Sequence, residues 1–210
     1  MPKLYLLGGE NVFKRSAREV NERAFQDAGE SLDIVVFSWA RASFDKGYKK
    51  RKTLVDYFKS LGARTVDFVD YSDSNEMIAT KMAGSNLVYL TGGLASVLIE
   101  RLRKVGVDRL LQDYDGVVIG RSAGALALCR KCIITCHRSD PKAKIINGLN
   151  LVDLTLKVHY KPENNKALET LSEEAKIYAI PMGSALVYDN GACSPIGAVY
   201  LFENGKTRML

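Results

Sequence analysis

The sequence predicts an α/β fold, a mostly parallel sheet with helices on both faces and extra strands in its C-terminal third. Three observations carry that expectation. Short β-branched apolar runs alternate with amphipathic stretches through the first 130 residues or so. Three of the runs stop at glycine, at Gly8-Gly9, Gly92-Gly93 and Gly120. Beyond that point, short strand-like runs separated by turn residues replace the alternation.

Taken in order, Lys3 to Leu7 is a short apolar strand running into Gly8-Gly9. Lys14 to Ala28 has helical spacing and stops at Gly29. Leu32 to Phe37 is β-branched and reads as a buried strand. Tyr48 to Leu61 is an amphipathic helix closed by Gly62, and Thr65 to Val69 is the next strand. Ser74 opens a helix, with Asn75 and Glu76 in its first turn. Leu87 to Leu90 is a strand ending at Thr91-Gly92-Gly93, followed by a helix from Ala95 to Lys104. Gly116 to Ile119 is a strand ending at Gly120. The strand-like runs of the tail are Ile145-Ile146, Leu154 to Val158, Ile177 to Ile180, Ala185 to Tyr188 and Ala198 to Phe202. Glu203-Asn204-Gly205-Lys206 has hairpin-turn chemistry. With no repeat, linker or low-complexity segment, residues 1–210 read as one domain.

Composition narrows the class. A chain of 210 residues, 47% hydrophobic, can bury a substantial core without disulfides or metal. No stretch is long and apolar enough to span a bilayer, and the N-terminal apolar run is too short for a signal peptide. The expectation is a cytoplasmic protein with no membrane partner. The formal charge of +6 is spread along the chain, and Lys49-Lys50-Arg51-Lys52 is its one dense basic run. Without interleaved aromatics this run reads as a solvated helix start, so no nucleic-acid partner is expected. Cys129, Cys132, Cys136 and His137 have a spacing that invites a metal reading. The residues between them look like a helix end running into a strand, which would aim neighbouring thiols in different directions, so neither metal nor cofactor is expected.

The segment Gly116 to Leu128 bears the chemistry. An apolar strand enters Gly120-Arg121-Ser122-Ala123-Gly124 and leaves through the helix former Ala125-Leu126-Ala127-Leu128. Such a strand-turn-helix presents a serine hydroxyl above a sheet, with helix N-terminal amides aimed at the same point. Serine needs a base, and the chain holds two histidines. His159 ends an apolar run just before Tyr160-Lys161-Pro162, which places it at the sheet edge; His137 lies among the cysteines. Ser122 is therefore read as nucleophile and His159 as base. The bare backbone at Gly92-Gly93 offers a second oxyanion donor beside Ala123.

These residues resemble a family. A strand ending in Gly-Gly before a helix, then Ile119-Gly120-x-Ser122-Ala123-Gly124-Ala125, then Gly148-Leu149 and a strand ending in His159-Tyr160, is similar to the peptidase E and cyanophycinase serine peptidases. The resemblance spans nearly the whole chain and is strongest over Tyr89 to Gly93, Val118 to Ala125 and Gly148 to Tyr160. It implies a glutamine-amidotransferase-like fold with serine in place of the cysteine nucleophile. It also implies Ser122 as nucleophile, His159 as general base, oxyanion amides from Gly93 and Ala123, and a turn shaped by Gly92. Leu94 departs from the pattern, since such members usually carry asparagine after the glycine run. The family's acid falls near His137, where Asp140 is the nearest carboxylate; Asp153 and Glu163 compete, and a dyad is the remaining option. The implied substrates are small peptides with an acidic P1 residue, for which Arg121 is the candidate cationic partner. Two rivals remain: an α/β-hydrolase esterase, and a non-catalytic amidotransferase-like binding module. The sequence leaves the oligomeric state open.

Overall fold

The computed structural model describes residues 1–41, 51–135 and 143–210. In chain order the elements are β1 (Lys3–Leu7), α1 (Arg18–Ala28), β2 (Asp33–Phe37), α2 (Arg51–Ser60), β3 (Thr65–Val69), α3 (Asn75–Ala83), β4 (Leu87–Leu90), α4 (Ala95–Lys104), α5 (Val107–Gln112), β5 (Val117–Arg121) and α6 (Ala123–Leu128). There follow β6 (Cys129–Thr135), β7 (Ala143–Asn147), β8 (Val152–Val158), α7 (Asn165–Leu171), β9 (Ile177–Ile180), β10 (Ala185–Asp189), β11 (Ala192–Ile196), β12 (Tyr200–Glu203) and β13 (Lys206–Met209).

The strands form two sheets. The first has seven, in the order β11-β10-β1-β5-β4-β2-β3. Its five members from β1 to β3 in that order are parallel, and β10 and β11 add antiparallel pairs at one edge. The second has six, in the order β13-β12-β9-β8-β6-β7, parallel only at β6-β8 and β8-β9. The α/β class holds, but the tail does more than lengthen one sheet. Only β10 and β11 join the first sheet, while the other C-terminal strands build the second. The apolar run of each strand is too short to show which sheet it will enter.

Local chemistry explains most boundaries. Ser74 caps α3, its Oγ accepting the Met77 N–H. Asn204 and Gly205 take the positive φ values, 52° and 69°, that a two-residue hairpin between β12 and β13 requires. The expected helix from Lys14 splits instead, with a 3-10 turn at Val12–Lys14 preceding α1. Of the expected helix from Tyr48, residues 48–50 lie outside the described residues, as do two lysines of the basic run. Arg51 pairs with Asp70 and stacks over the Phe68 ring. β5 runs two residues past Ile119, so Gly120 and Arg121 are strand residues.

Two features place the site. In register, Leu7 of β1 pairs with Arg121 of β5, and Leu90 of β4 with Gly120, so three strand ends meet at one edge. The six residues of α6 are all buried, and the largest apolar cluster runs through them. It joins Leu6, Val35 and Val88 of the first sheet to Leu156, Val158 and Ile180 of the second. α6 thus lies between the sheets, and the carboxyl ends of β5 and β8 face a common crevice.

Candidate active site

Ser122 stands between β5 and α6 with φ 53° and ψ −105°. A side chain held at positive φ there is costly and persists because its surroundings fix it. His159 follows β8, also at positive φ, 52°. The same stretch of chain holds both. The Ser122 N–H donates to the carbonyl of Leu7 at 2.9 Å, and the His159 N–H donates to the next carbonyl, Gly8, at 3.0 Å. Gly8 can only be glycine, since a Cβ would lie 2.1 Å from the Pro181 carbonyl oxygen. Its own N–H donates to Ser184 at 2.9 Å. The end of β1 is thereby wedged between the two sheets.

The result is a Ser122 Oγ to His159 Nε2 separation of 2.7 Å. For Nε2 to accept the hydroxyl proton, the neutral ring must carry its own proton on Nδ1. The surroundings favour the neutral ring. Although His159 keeps an exposed edge, the protein packed around it disfavours the imidazolium and pushes the pKa below 6.5, and the charges of Lys157 and Arg121 push the same way. The Nδ1 edge lies against Gly9, where a Cβ would fall 2.7 Å from Nδ1.

A cavity of about 400 Å³ opens at this pair. Gly93, Ala123, Ser122 and His159 line it together with Leu94, Leu126, Ile133, Ile134, Ile146, Lys144 and Lys157. The expected oxyanion residues Gly93 and Ala123 thus share the cavity with Ser122. A Cβ on Gly93 would lie 2.2 Å from the Ala40 carbonyl oxygen, so only a bare backbone passes there. Gly92 packs on the serine itself, a Cβ there meeting the Ser122 Cβ at 3.3 Å. Another cavity, about 440 Å³, lies at the opposite end of β1 beside Lys3 and Asp27, without a histidine in its lining.

Other expected residues lie elsewhere. Arg121 is buried, 5% exposed, with its guanidinium 5.8 Å from the centre of the Tyr89 ring, and it does not line the cavity. The sequence read it as a turn residue; as the last residue of β5 it is carried into the protein. Asp153 sits at the far end of β8 from His159, exposed and paired with Arg130 at 3.0 Å. Glu163 is exposed in the turn after β8. Asp140, His137 and Cys136 lie outside the described residues. Cys129 and Cys132 are both buried, their thiols donating to the carbonyls of Ala125 and Leu126. A bulge in β6 between Cys129 and Lys131 disturbs the simple alternation expected there.

Two charged residues near the site were not singled out by the sequence reading, and of these Lys157 lines the cavity. Glu10 follows Gly9 directly. Its carboxylate accepts from Asn21 at 3.2 Å and from the Tyr89 hydroxyl at 3.5 Å. Burial raises its pKa, and the Arg121 charge opposes that rise. Lys157 lies two residues before His159, 4% exposed, its Nζ donating to the Val158 carbonyl at 2.6 Å. The available signal was a charge at each strand end: an acid right after a strand's glycine pair, and a lysine inside an otherwise apolar run.

The family model for peptidase family S51 matches residues 40–196, three quarters of the chain. The chain belongs to peptidase family S51. The S51 family is one of serine peptidases of the peptidase E kind. This chain is 28% identical to an uncharacterised peptidase of Listeria monocytogenes over 62% of its own length and 64% of that protein's, a little under two thirds. It is 26% identical to an uncharacterised peptidase of Listeria innocua, over 71% of this chain and 75% of that one. Among solved structures, the S51 chain superposes on a peptidase from an acI-B1 Actinobacterium with a TM-score of 0.74 at 17% identity, covering 100% of this chain and 94% of that one. A Listeria monocytogenes structure named for peptidase E gives 0.70 at 20% identity, covering 93% and 98%. At these identities the structural likeness speaks for the fold.

Proposed function

We propose that this S51 member hydrolyses small peptides through an acyl-enzyme on Ser122, acting as an exopeptidase or dipeptidase, with His159 as general base. The observation that carries the reading is the 2.7 Å contact between Ser122 Oγ and His159 Nε2 at a strained turn. Ser122 Oγ attacks the scissile carbonyl carbon while its proton passes to Nε2. The oxyanion forms beside Gly93 and Ala123, whose backbone amides are its donors in this reading. The C–N bond then breaks, and His159 returns the proton to the leaving amine. Water, deprotonated by the same imidazole, hydrolyses the ester and restores Ser122. No step calls for a metal or cofactor.

The group behind His159 has two candidates. Asp140 is the carboxylate the family pattern suggests. Glu10 is the other, since it follows the glycine that lies against the Nδ1 edge, although its carboxylate accepts from Asn21 and Tyr89. A preference for an acidic P1 residue follows the family resemblance, and the lysines of the cavity suit it better than the buried Arg121. Cytoplasmic residence is part of the same reading, and the unpaired Cys129, Cys132 and Cys193 suit a reducing compartment.

A fluorophosphonate probe with intact-mass readout tests the nucleophile. Wild-type protein should gain one adduct and Ser122→Ala none. Equal labelling of the two would remove Ser122 from the mechanism. Absence of label on both would favour a binding module built on the same fold.

A further inference from the structure

Leu94 is out of keeping with its place in the chain. It is the N-cap of α4, with extended φ and ψ of −92° and 113°, and its carbonyl accepts the first helical bond, from the Leu98 N–H. That position favours serine, threonine, aspartate or asparagine, whose side chains accept from the first amides of the helix, and leucine is among the poorest choices. Leu94 makes no such capping bond. Its side chain is also 55% exposed. A single exposed leucine is ordinary by itself. One that also forgoes a helix cap costs the fold twice, and residues that break a local rule in this way concentrate at functional sites.

The cavity of Ser122 supplies a reason. Of the large apolar side chains exposed among the described residues, Leu94 alone lines it. Leu126 of α6, Ile134 of β6 and Ile146 of β7 belong to the same lining. The Leu94 backbone is pinned on both sides, its N–H donating to the Ala40 carbonyl at 2.6 Å and its carbonyl accepting from Leu98 at 3.1 Å. Directly before it comes Gly93, an oxyanion donor in the reading above. A fixed hydrocarbon surface therefore stands one residue from that donor.

We propose that Leu94, with Leu126, Ile134 and Ile146, binds an aliphatic side chain on the leaving half of the substrate, so that dipeptides ending in leucine or norleucine are cleaved in preference to those ending in alanine or serine. This rests on Ser122 as nucleophile and on the acidic acyl residue of the reading above, and it adds the class of the residue that leaves. A carboxylate gains nothing from a hydrocarbon wall and loses hydration beside it, so the acyl side chain is not the one this surface takes. An aliphatic side chain gains twice, since it leaves water itself and covers a leucine that otherwise faces water. Each methylene buried is worth about fourfold in binding.

The test uses the full chain and dipeptides with aspartate as the acyl residue. The leaving residue is lengthened through alanine, 2-aminobutyrate, norvaline and norleucine, with serine as the polar control. For wild type, kcat/KM should rise by up to about fourfold per methylene, with serine no better than alanine. In Leu94→Asn the norleucine-to-alanine ratio should fall about tenfold, while the new cap raises the melting temperature by roughly 2–4 °C. Leu94→Ala should lose the ratio without gaining the cap, and Leu94→Met should keep it. A flat series in wild type, or a ratio unchanged in both Leu94→Asn and Leu94→Ala, overturns the proposal. No rise in melting temperature for Leu94→Asn counts against it too, since leucine would then cost the helix nothing. A second series, 4-nitroanilides of alanine and norleucine, varies the acyl residue with the leaving group fixed. A loss in Leu94→Asn confined to that series would put the surface on the acyl side and overturn the assignment. Fluorophosphonate labelling run in parallel separates the two readings. Label and turnover with a flat dipeptide series overturn the role of Leu94 alone. Label without turnover of either series overturns the acidic acyl residue and this proposal with it, whereas no label and no turnover overturn Ser122 as well.

Discussion

Ser122 and His159 both sit at positive φ, a region that residues with a side chain seldom adopt. Such a conformation costs roughly 1–3 kcal/mol at each position. Ser122→Gly should recover part of it, raising the melting temperature by roughly 2–4 °C per kcal/mol regained in a chain of this size, while losing all fluorophosphonate labelling. A scan in which Ser122→Gly melts no higher than wild type would mean the turn stores no strain. The electrostatics of His159 set a second expectation. Its folded pKa lies below 6.5, so the neutral, base-competent ring persists as the solution is acidified past that value. The acidic limb of kcat/KM should therefore have its midpoint below pH 6.5. Arg121→Met should move that midpoint upward by removing one of the charges that oppose the imidazolium. A midpoint above 6.5 in wild type would contradict the surroundings described for the ring.

At the scale of elements, the end of β1 controls the site. Gly8→Ala would drive a Cβ into the Pro181 carbonyl and displace the strand end that holds both Ser122 and His159. Over-packing of this kind costs about 1–3 kcal/mol. Labelling should fall much further than stability does, because a shift near 1 Å at a reacting pair costs about a hundredfold in rate. Comparing label rate with melting temperature separates the two effects. The sequence made much of this legible. The parallel elements, Ser122 between strand and helix, His159 at a strand end and the Asn204-Gly205 hairpin all follow from patterns that are local in the chain. The second sheet did not, since β6, β8 and β9 pair across long separations and their residues look alike whichever sheet receives them. Arg121 was read as a turn residue because Gly120 resembled a strand stop, when β5 in fact continues beneath the serine. Glu10 and Lys157 gain meaning only from what packs against them.

For the whole molecule, one apolar cluster threads both sheets through α6. Leu156→Ala, at the centre of the second sheet and fully buried, should cost about 2–5 kcal/mol and lower the melting temperature by of order 10 °C. The single tryptophan, Trp39, is buried in the same cluster on the first-sheet side. In denaturant its emission should change together with far-UV circular dichroism, in wild type and in Leu156→Ala alike. Two separated transitions would show that the sheets unfold independently. The wedge at Gly8 has one more consequence, for the order in which the chain is made. Leu7 and Gly8 are synthesised well before Pro181 and Ser184, the residues that hold Gly8 in place. A nascent chain that has passed Tyr160 already carries Ser122 and His159 but not the segment that fixes the distance between them. Reactivity at Ser122 is thus expected to mature late: the growing polypeptide should stay inert toward fluorophosphonate until Ser184 has been translated and has folded onto Gly8.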